Sequence, residues 1–182
     1  MDGTLAALVA EATKKAGLVW VRPVEGDVRA RAVWHVWRAD AAGGPAAYVI
    51  FGGEEQPPPE LGSGPVAVTT PSKDTRARLV TWIAAATPVR PDDPDWAPTV
   101  AALAAARLNA ADHPTLTDRW AAAVTDPDDP TTVVRLAPTG EVVEHPGAQP
   151  DSAHAAPPAP TPATTAKRKP FTLGARNRRA DR

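Results

Sequence analysis

The stretch Arg29-Ala30-Arg31-Ala32-Val33-Trp34-His35-Val36-Trp37-Arg38 indicates the fold more directly than any other part of the chain. Its residue types alternate, which is typical of a β-strand because successive side chains point to opposite faces of the sheet. One face is apolar throughout, and the other begins with two arginines. The faces are Ala30, Ala32, Trp34 and Val36, and Arg29, Arg31, Val33, His35 and Trp37. The pattern predicts one strand over residues 29–38.

Further β-rich runs lie on both sides of this strand. Glycines at Gly26 and Gly43-Gly44 separate it from its two neighbours, and this arrangement predicts an antiparallel meander. Two more apolar runs follow a proline-rich loop. The additional candidate strands are residues 18–22, 46–51, 66–70 and 79–89.

Three segments have the spacing of apolar residues that predicts a helix, and Thr4 and Asp95 can cap the first two. After the helices, Pro138-Thr139-Gly140 indicates a turn, and the apolar runs on either side of it predict a hairpin. Strands before and after helices predict an α+β fold, a closed or nearly closed barrel with flanking helices. The helices are residues 4–15, 95–109 and 117–124, and the hairpin arms are residues 132–136 and 141–144.

Composition divides the chain into two parts. Its 182 residues, 43% of them hydrophobic, suit one domain over residues 1–145. Residues 146–182 are rich in Ala, Pro and Thr with almost no large apolar residue, which predicts a disordered linker and a basic tail. Residues 1–145 carry 13 Lys and Arg against 19 Asp and Glu, net minus six, whereas residues 146–182 carry seven against two, net plus five.

The chain has no cysteine, which excludes disulfides, thiolate metal sites and a cysteine nucleophile. No signal-peptide pattern begins the sequence, and no apolar run approaches the roughly 20 residues that span a bilayer. We therefore expect a cytoplasmic protein that does not enter the membrane.

No established catalytic motif is present: the sequence lacks a Walker loop, a dinucleotide glycine fingerprint, HExxH and GxSxG. The four histidines are His35, His113, His145 and His154, and their spacing does not fit a metal site. His35 is predicted to be a packed or edge residue of its strand rather than a catalytic one. Trp20, Trp34, Trp37 and Trp82 either line a ring-binding cleft or belong to the core, and strand aromatics favour the core.

The cluster Ser72-Lys73-Asp74-Thr75-Arg76-Ala77-Arg78 lies between two predicted strands and offers hydroxyls, an ammonium and two guanidiniums in one loop. Such groups bind phosphate, because Arg donates paired hydrogen bonds and Lys supplies a movable charge. The alternative is a solvated charged turn. Arg29 and Arg31 join the set if the barrel brings their face near the loop.

The order of elements resembles the pyridoxamine 5'-phosphate oxidase-like split-barrel family over about residues 4–145. The resemblance follows from the first helix, the strands Ala16-Gly17-Leu18-Val19-Trp20-Val21, Ala32-Val33-Trp34-His35-Val36-Trp37 and Ala47-Tyr48-Val49-Ile50-Phe51, the Ser72-Lys73 loop and the late strand Val133-Val134-Arg135-Leu136-Ala137-Pro138. It implies a split β-barrel, mostly antiparallel, that forms a homodimer. Members bind FMN, or in related branches a deazaflavin (F420) or haem, at the subunit interface.

Transferred to this chain, the resemblance implies that Ser72 and Lys73 contact a cofactor phosphate. Arg31 and Arg76 are weaker candidates for the same role, and Trp34 is a possible wall of the ring pocket. The arginine-rich strand end that better-defined oxidases use for the phosphate is absent, so cofactor binding could have been lost. No catalytic residue is assigned.

Two functions follow from this reading. The first is an oxidoreductase that depends on FMN or a deazaflavin, in which the cofactor supplies the hydride chemistry. The second is a non-enzymatic dimeric barrel that uses its basic tail, from Lys167 to Arg182, to bind an acidic protein or, less readily, nucleic acid.

Overall fold

A computed structural model describes residues 3–39, 44–58, 61, 64–107 and 113–150. The chain divides into two compact units, residues 1–149 and 150–182. The barrel and its helices belong to the first unit. The predicted disorder of the C-terminal tail lies outside the described residues.

The described part of the first unit contains three helices and seven strands. The helices are α1 (Gly3–Lys15), α2 (Trp96–Ala106) and α3 (His113–Thr125). The strands are β1 (Leu18–Pro23), β2 (Arg31–Trp34), β3 (Val36–Ala39), β4 (Pro45–Phe51), β5 (Val66–Pro71), β6 (Arg78–Val89) and β7 (Thr132–Glu144).

The strands form one antiparallel sheet in the order β2-β1-β5-β6-β7-β4-β3. Its two edge strands, β2 and β3, are separated along the chain by His35 alone. The two edges are therefore halves of one bent strand, and the sheet curls into a barrel. This is the predicted α+β fold, a split β-barrel with flanking helices.

The bend at His35 corrects the predicted continuous strand over residues 29–38. The first half pairs with β1, where Val33 lies opposite Val19, and the second half pairs with β4, where Val36 lies opposite Tyr48. The strand breaks because it changes partner. Local alternation is uninterrupted across this point, so the sequence pattern carries no sign of the break.

The side chain of Gln56 braces the bend. Its amide nitrogen donates to the carbonyls of Trp34 (3.1 Å) and Ile50 (3.0 Å), and its amide oxygen accepts from the Trp34 N–H (2.9 Å). Because a strand that changes partner leaves peptide groups without a neighbour, this side chain supplies the hydrogen bonds of a missing strand.

Two hydrophobic cores lie on opposite sides of the barrel wall. Strand β4 separates them, because its odd-numbered residues from Ala47 to Phe51 point inward and its even-numbered residues point toward the helices. The inner core includes Val19, Val21, Val33, Val66, Val68, Trp82 and Leu136, together with Val9 and Ala12 of α1. The outer core includes Tyr48, Ile50 and Val133 with Trp96, Leu103 and Trp120 of α2 and α3.

The predicted hairpin over residues 132–144 is wrong, because these residues form the single strand β7. Both of its arms pair with β6: Ala137 lies opposite Ala85, and Val142 lies opposite Trp82. The residues between them bulge out of the ladder, with Gly140 at φ 98°. Thr139 is a turn residue by type, but here its hydroxyl donates to the Ile83 carbonyl at 3.0 Å.

Candidate functional site

The packing of the barrel fills its interior and leaves part of its outer wall open to solvent. Buried side chains of the inner core fill the interior, as is usual in a barrel of this size. Helices α2 and α3 cover the outer side of β4 and part of β7. Strand β1 differs, because its outward-facing side chains reach solvent.

We call this region the open face. Directly opposite residues of neighbouring strands share a face, so the register defines its members. They are Leu18, Trp20 and Arg22 on β1, Ala32 on β2 and Thr69 on β5. Leu18 and Trp20 are 48% and 46% exposed, among the few large apolar side chains of the described residues that are so open.

Trp20 lies in the middle of the open face. Its cross-strand neighbours are Ala32 on one side and Thr69 on the other, both with short side chains. By contrast, Trp82 is 1% exposed in the inner core, where it packs edge to face against Trp37 with ring centres 6.0 Å apart. The core interpretation thus describes Trp82 and Trp37, whereas Trp20 presents its ring to solvent.

A row of hydrogen bonds continues from the open face into buried surface. The hydroxyls of Thr69 and Thr81 are 2.9 Å apart, and the Thr81 hydroxyl donates to the Glu144 carboxylate at 2.6 Å. Arg78 Nε lies 3.1 Å from the same carboxylate. Arg78 and Thr81 belong to β6 and Glu144 ends β7, so these bonds hold the ends of the two strands together. The Glu144 carboxylate that they share is buried.

A β-bulge puts Arg78 on this side of the wall. Val80 lies opposite Thr70 and Arg78 lies opposite Pro71, which leaves Leu79 as an extra residue in β6. An extra residue reverses the alternation of side chains. Leu79 therefore packs toward the inner core while Arg78 reaches Glu144.

The loop between β5 and β6 is a tight hairpin at one end of the open face. The Ser72 N–H donates to the Ala77 carbonyl (2.7 Å), and the Arg76 N–H donates to the Ser72 carbonyl (2.9 Å). Arg76 has φ 58°, the left-handed conformation that closes the loop. Ser72 is three residues beyond Thr69, about 10 Å along the strand. Because β1 and β5 are antiparallel, the loop follows the end of β5 that lies toward Leu18.

The structure brings together three of the five predicted site residues. Ser72, Lys73 and Arg76 share this hairpin, where Lys73 and Arg76 are exposed. Ser72 Oγ accepts the Thr75 N–H at 3.3 Å. A serine hydroxyl can accept and donate at once, so its proton remains available to a ligand.

The other two predicted site residues lie apart from the hairpin. Trp34 faces outward opposite Leu18, but it is partly buried and packs against the outer core. Arg31 lies opposite the inward-facing Val21, at the far end of β2 and on the other side of the wall from Trp20. It lines a shallow cavity of about 510 Å³ formed by residues 27–31.

His35 is a buried residue of the bend, 8% exposed. Its Nε2 lies 2.9 Å from the Thr13 carbonyl, and because a carbonyl only accepts, Nε2 carries the proton. Its Nδ1 has no hydrogen-bond partner among the described residues. Burial lowers the pKa of His35 from its ordinary value of 6.5, although the bond to Thr13 opposes the shift.

A second buried acid, Glu55, was not predicted from the sequence. The Glu55 carboxylate accepts from Trp120 Nε1 (3.1 Å) and lies 3.2 Å from Arg107, so it ties α3 and the end of α2 to the barrel. The neighbouring Glu54 pairs with Arg119 in solvent. The sequence signal was the Gly52-Gly53 pair, which marks a tight turn before the two acids; in the structure Gly52 has φ 82°, and the Pro130 backbone leaves no room for a Cβ there.

Within the described ranges, no three His, Cys, Asp or Glu residues are grouped closely enough to hold a metal ion. Among the same residues, no helix has the length and apolar character needed to cross a membrane.

The fold places the chain among α+β split barrels. One solved structure similar to it is that of HutZ, the heme storage protein from Vibrio cholerae, at 16% identity and a TM-score of 0.44. The match covers 76% of this chain and 92% of that one, and the likeness is one of fold. No protein-family profile and no curated protein matches the sequence.

Proposed function

We propose that this chain is a cofactor-binding split barrel of the oxidoreductase type, which takes FMN or, as an alternative, a deazaflavin on its open face. The observation that carries the proposal is the β5–β6 hairpin, which holds Ser72, Lys73 and Arg76 at the end of an exposed apolar surface. A flavin nucleotide needs both features, a surface for its ring and donors for its phosphate.

The hairpin suits a phosphate by its chemistry. Lys73 and Arg76 extend into solvent, and Asp74 is the one acid in the loop. The Ser72 proton adds a hydroxyl donor. Charged donors to a phosphate form short, strong hydrogen bonds, and an exposed loop gives them freedom to close around the group.

The role of the protein in such an enzyme is to bind and orient. A bound flavin supplies the hydride transfer itself, so a protein acid or base is not compulsory. This accounts for a barrel without a catalytic motif. The chain's own contribution is the apolar surface of Leu18 and Trp20 beneath the ring and the cations at the phosphate end.

We also propose a homodimer. Leu18 and Trp20 are adjacent outward positions of β1, and both are about half exposed. Exposed apolar patches on a barrel mark binding surfaces. A second copy that packs beside a bound cofactor would remove the remaining apolar surface from water. Sedimentation of the protein with and without FMN measures whether the dimer forms.

The direct test is titration of the purified protein with FMN, followed by flavin fluorescence. Lys73→Ala removes a charged donor to the phosphate, a loss of about 1.5–3 kcal/mol, so the Kd for FMN should rise roughly tenfold or more. Arg90→Ala is the matched control, because Arg90 is an exposed cation that follows the end of β6 opposite to the hairpin. Absence of saturable binding to FMN and to a deazaflavin would refute the proposal.

A further inference from the structure

We infer that Trp20 is the ring-binding residue of this site and that its ligand is a planar aromatic ring with a phosphate arm directed toward Ser72. The inference rests on the proposed function and deepens it. It replaces Trp34, the ring wall implied by the resemblance, with a residue selected by its exposure.

The exposure of Trp20 is the first ground. A tryptophan buries more apolar area than any other side chain, and leaving half of it in water forgoes part of that stabilisation. The other strand tryptophans are covered: Trp82 lies in the inner core with Trp37, and Trp34 packs against the outer core. Trp20 is 46% exposed although it occupies the middle of a strand.

The neighbours of Trp20 are the second ground. Ala32 and Thr69 flank it on the adjacent strands, and neither is long enough to cover an indole ring. A flat ligand therefore has access to the ring, and stacking on an exposed aromatic side chain is the usual way in which proteins hold a base or a similar ring.

The distribution of exposed charge is the third ground, and it favours one direction for the ligand. Two exposed cations, Lys73 and Arg76, lie at the end of the open face where β5 ends. Arg22, toward the other end of the face, is partly buried, and its guanidinium already donates to a main-chain carbonyl of its own strand. Arg31, the remaining predicted phosphate contact, lies on the opposite side of the wall. A ring on Trp20 thus has its anionic arm attracted to the hairpin, about 10 Å away.

The experiment compares riboflavin, which has the ring without the phosphate, with FMN, which has both. The full-length protein and the variants Trp20→Ala, Trp20→Phe and Leu18→Ala are titrated with each compound. Stacking on an aromatic side chain contributes about 1–3 kcal/mol, so Trp20→Ala should raise the Kd of both compounds by about tenfold. Trp20→Phe should stay within about threefold of the parent, because a phenyl ring also stacks.

Leu18→Ala is the matched control, since Leu18 is equally exposed on the same strand. It should weaken binding less than Trp20→Ala does. Lys73→Ala should weaken the binding of FMN and leave the Kd for riboflavin unchanged. Because Trp20 is at the surface, unchanged thermal unfolding of each variant should show that the fold is intact.

The outcomes separate the inference from the proposed function. Equal affinity of Trp20→Ala and the parent for both compounds overturns the role of Trp20 and leaves the FMN site standing. No binding of either compound by the parent overturns both. If the parent binds no flavin but self-associates, and Trp20→Ala does not self-associate, Trp20 belongs to an interface between copies instead.

Discussion

At the residue scale, His35 links the bend of the barrel to helix α1. Its neutral ring donates to the Thr13 carbonyl and leaves Nδ1 without a partner among the described residues. Protonation would place a charge and an unpaired donor in the interior. The other titratable groups nearby do not offset it: Glu11, Lys14 and Lys15 of α1 are exposed, and Arg38 of β3 pairs with Asp95.

This arrangement predicts a dependence of stability on pH. Burial lowers the pKa of His35 below 6.5 in the folded protein. At a pH between the lowered pKa and 6.5, the unfolded chain therefore binds a proton that the folded protein does not. The free energy of unfolding therefore rises with pH through this window, and the advantage is lost as the pH falls below about 6.5. Urea unfolding at about pH 5 and about pH 7.5 measures it.

The control is His35→Gln, whose amide can still donate to the Thr13 carbonyl but does not titrate. The variant should lose part of the decrease in stability that the parent shows on acidification. An identical decrease in both proteins would mean that another group is responsible.

At the element scale, Glu55 positions both outer helices. It bonds Trp120 of α3 and Arg107 at the end of α2, with its side chain 6% exposed. Removing one partner of a buried ion pair leaves the other charge uncompensated. Glu55→Ala should therefore lower the free energy of unfolding by about 2–4 kcal/mol in a denaturant titration.

Glu54→Ala provides the comparison at the adjacent residue. Glu54 also pairs with an arginine, Arg119, but its side chain is 75% exposed, and exposed pairs contribute at most about 1 kcal/mol. Equal losses in the two variants would show that Glu55 does not secure the helices.

The elements also show which features a sequence pattern can predict. The strands and the helix of residues 4–15 follow from local periodicity, because burial of one face imposes it. The break at His35 depends on a change of partner strand. The course of β7 depends on its pairing with β6, which continues on both sides of Pro138-Thr139-Gly140 although these residue types favour a turn. Both are pairings between distant segments, which local sequence does not encode.

For the candidate site too, the sequence predicts only what depends on neighbouring residues. Ser72, Lys73 and Arg76 could be grouped because they are neighbours in sequence. Arg31 could not be placed, because its side of the wall depends on register, and Trp20 could not be distinguished from core tryptophans because exposure depends on which strands the helices cover.

At the scale of the whole molecule, the proposed cofactor site and the basic tail belong to different parts of the chain. The open face uses residues between Leu18 and Arg78, and the chain stays attached to the barrel at least to Gln149, whose amide donates to the Arg78 carbonyl at 2.7 Å. Deletion of residues 151–182 should therefore leave the Kd for FMN unchanged. A need for the tail in FMN binding would contradict this division.

The same deletion tests the second function. If the basic tail binds an acidic protein or nucleic acid, the parent should bind a single-stranded oligonucleotide or a polyglutamate probe with strong dependence on salt, and the truncated protein should not. Retention of such binding after truncation would place it on the barrel.

The indole Nε1–H signals in a ¹H–¹⁵N correlation spectrum, recorded while FMN is added, test most directly whether the ligand binds on the open face. The Trp20 signal, identified by its loss in Trp20→Phe, should shift progressively to saturation, while that of Trp82, buried in the inner core, should stay in place. A shift confined to other tryptophans, or no shift of any indole signal, would contradict a cofactor on the open face.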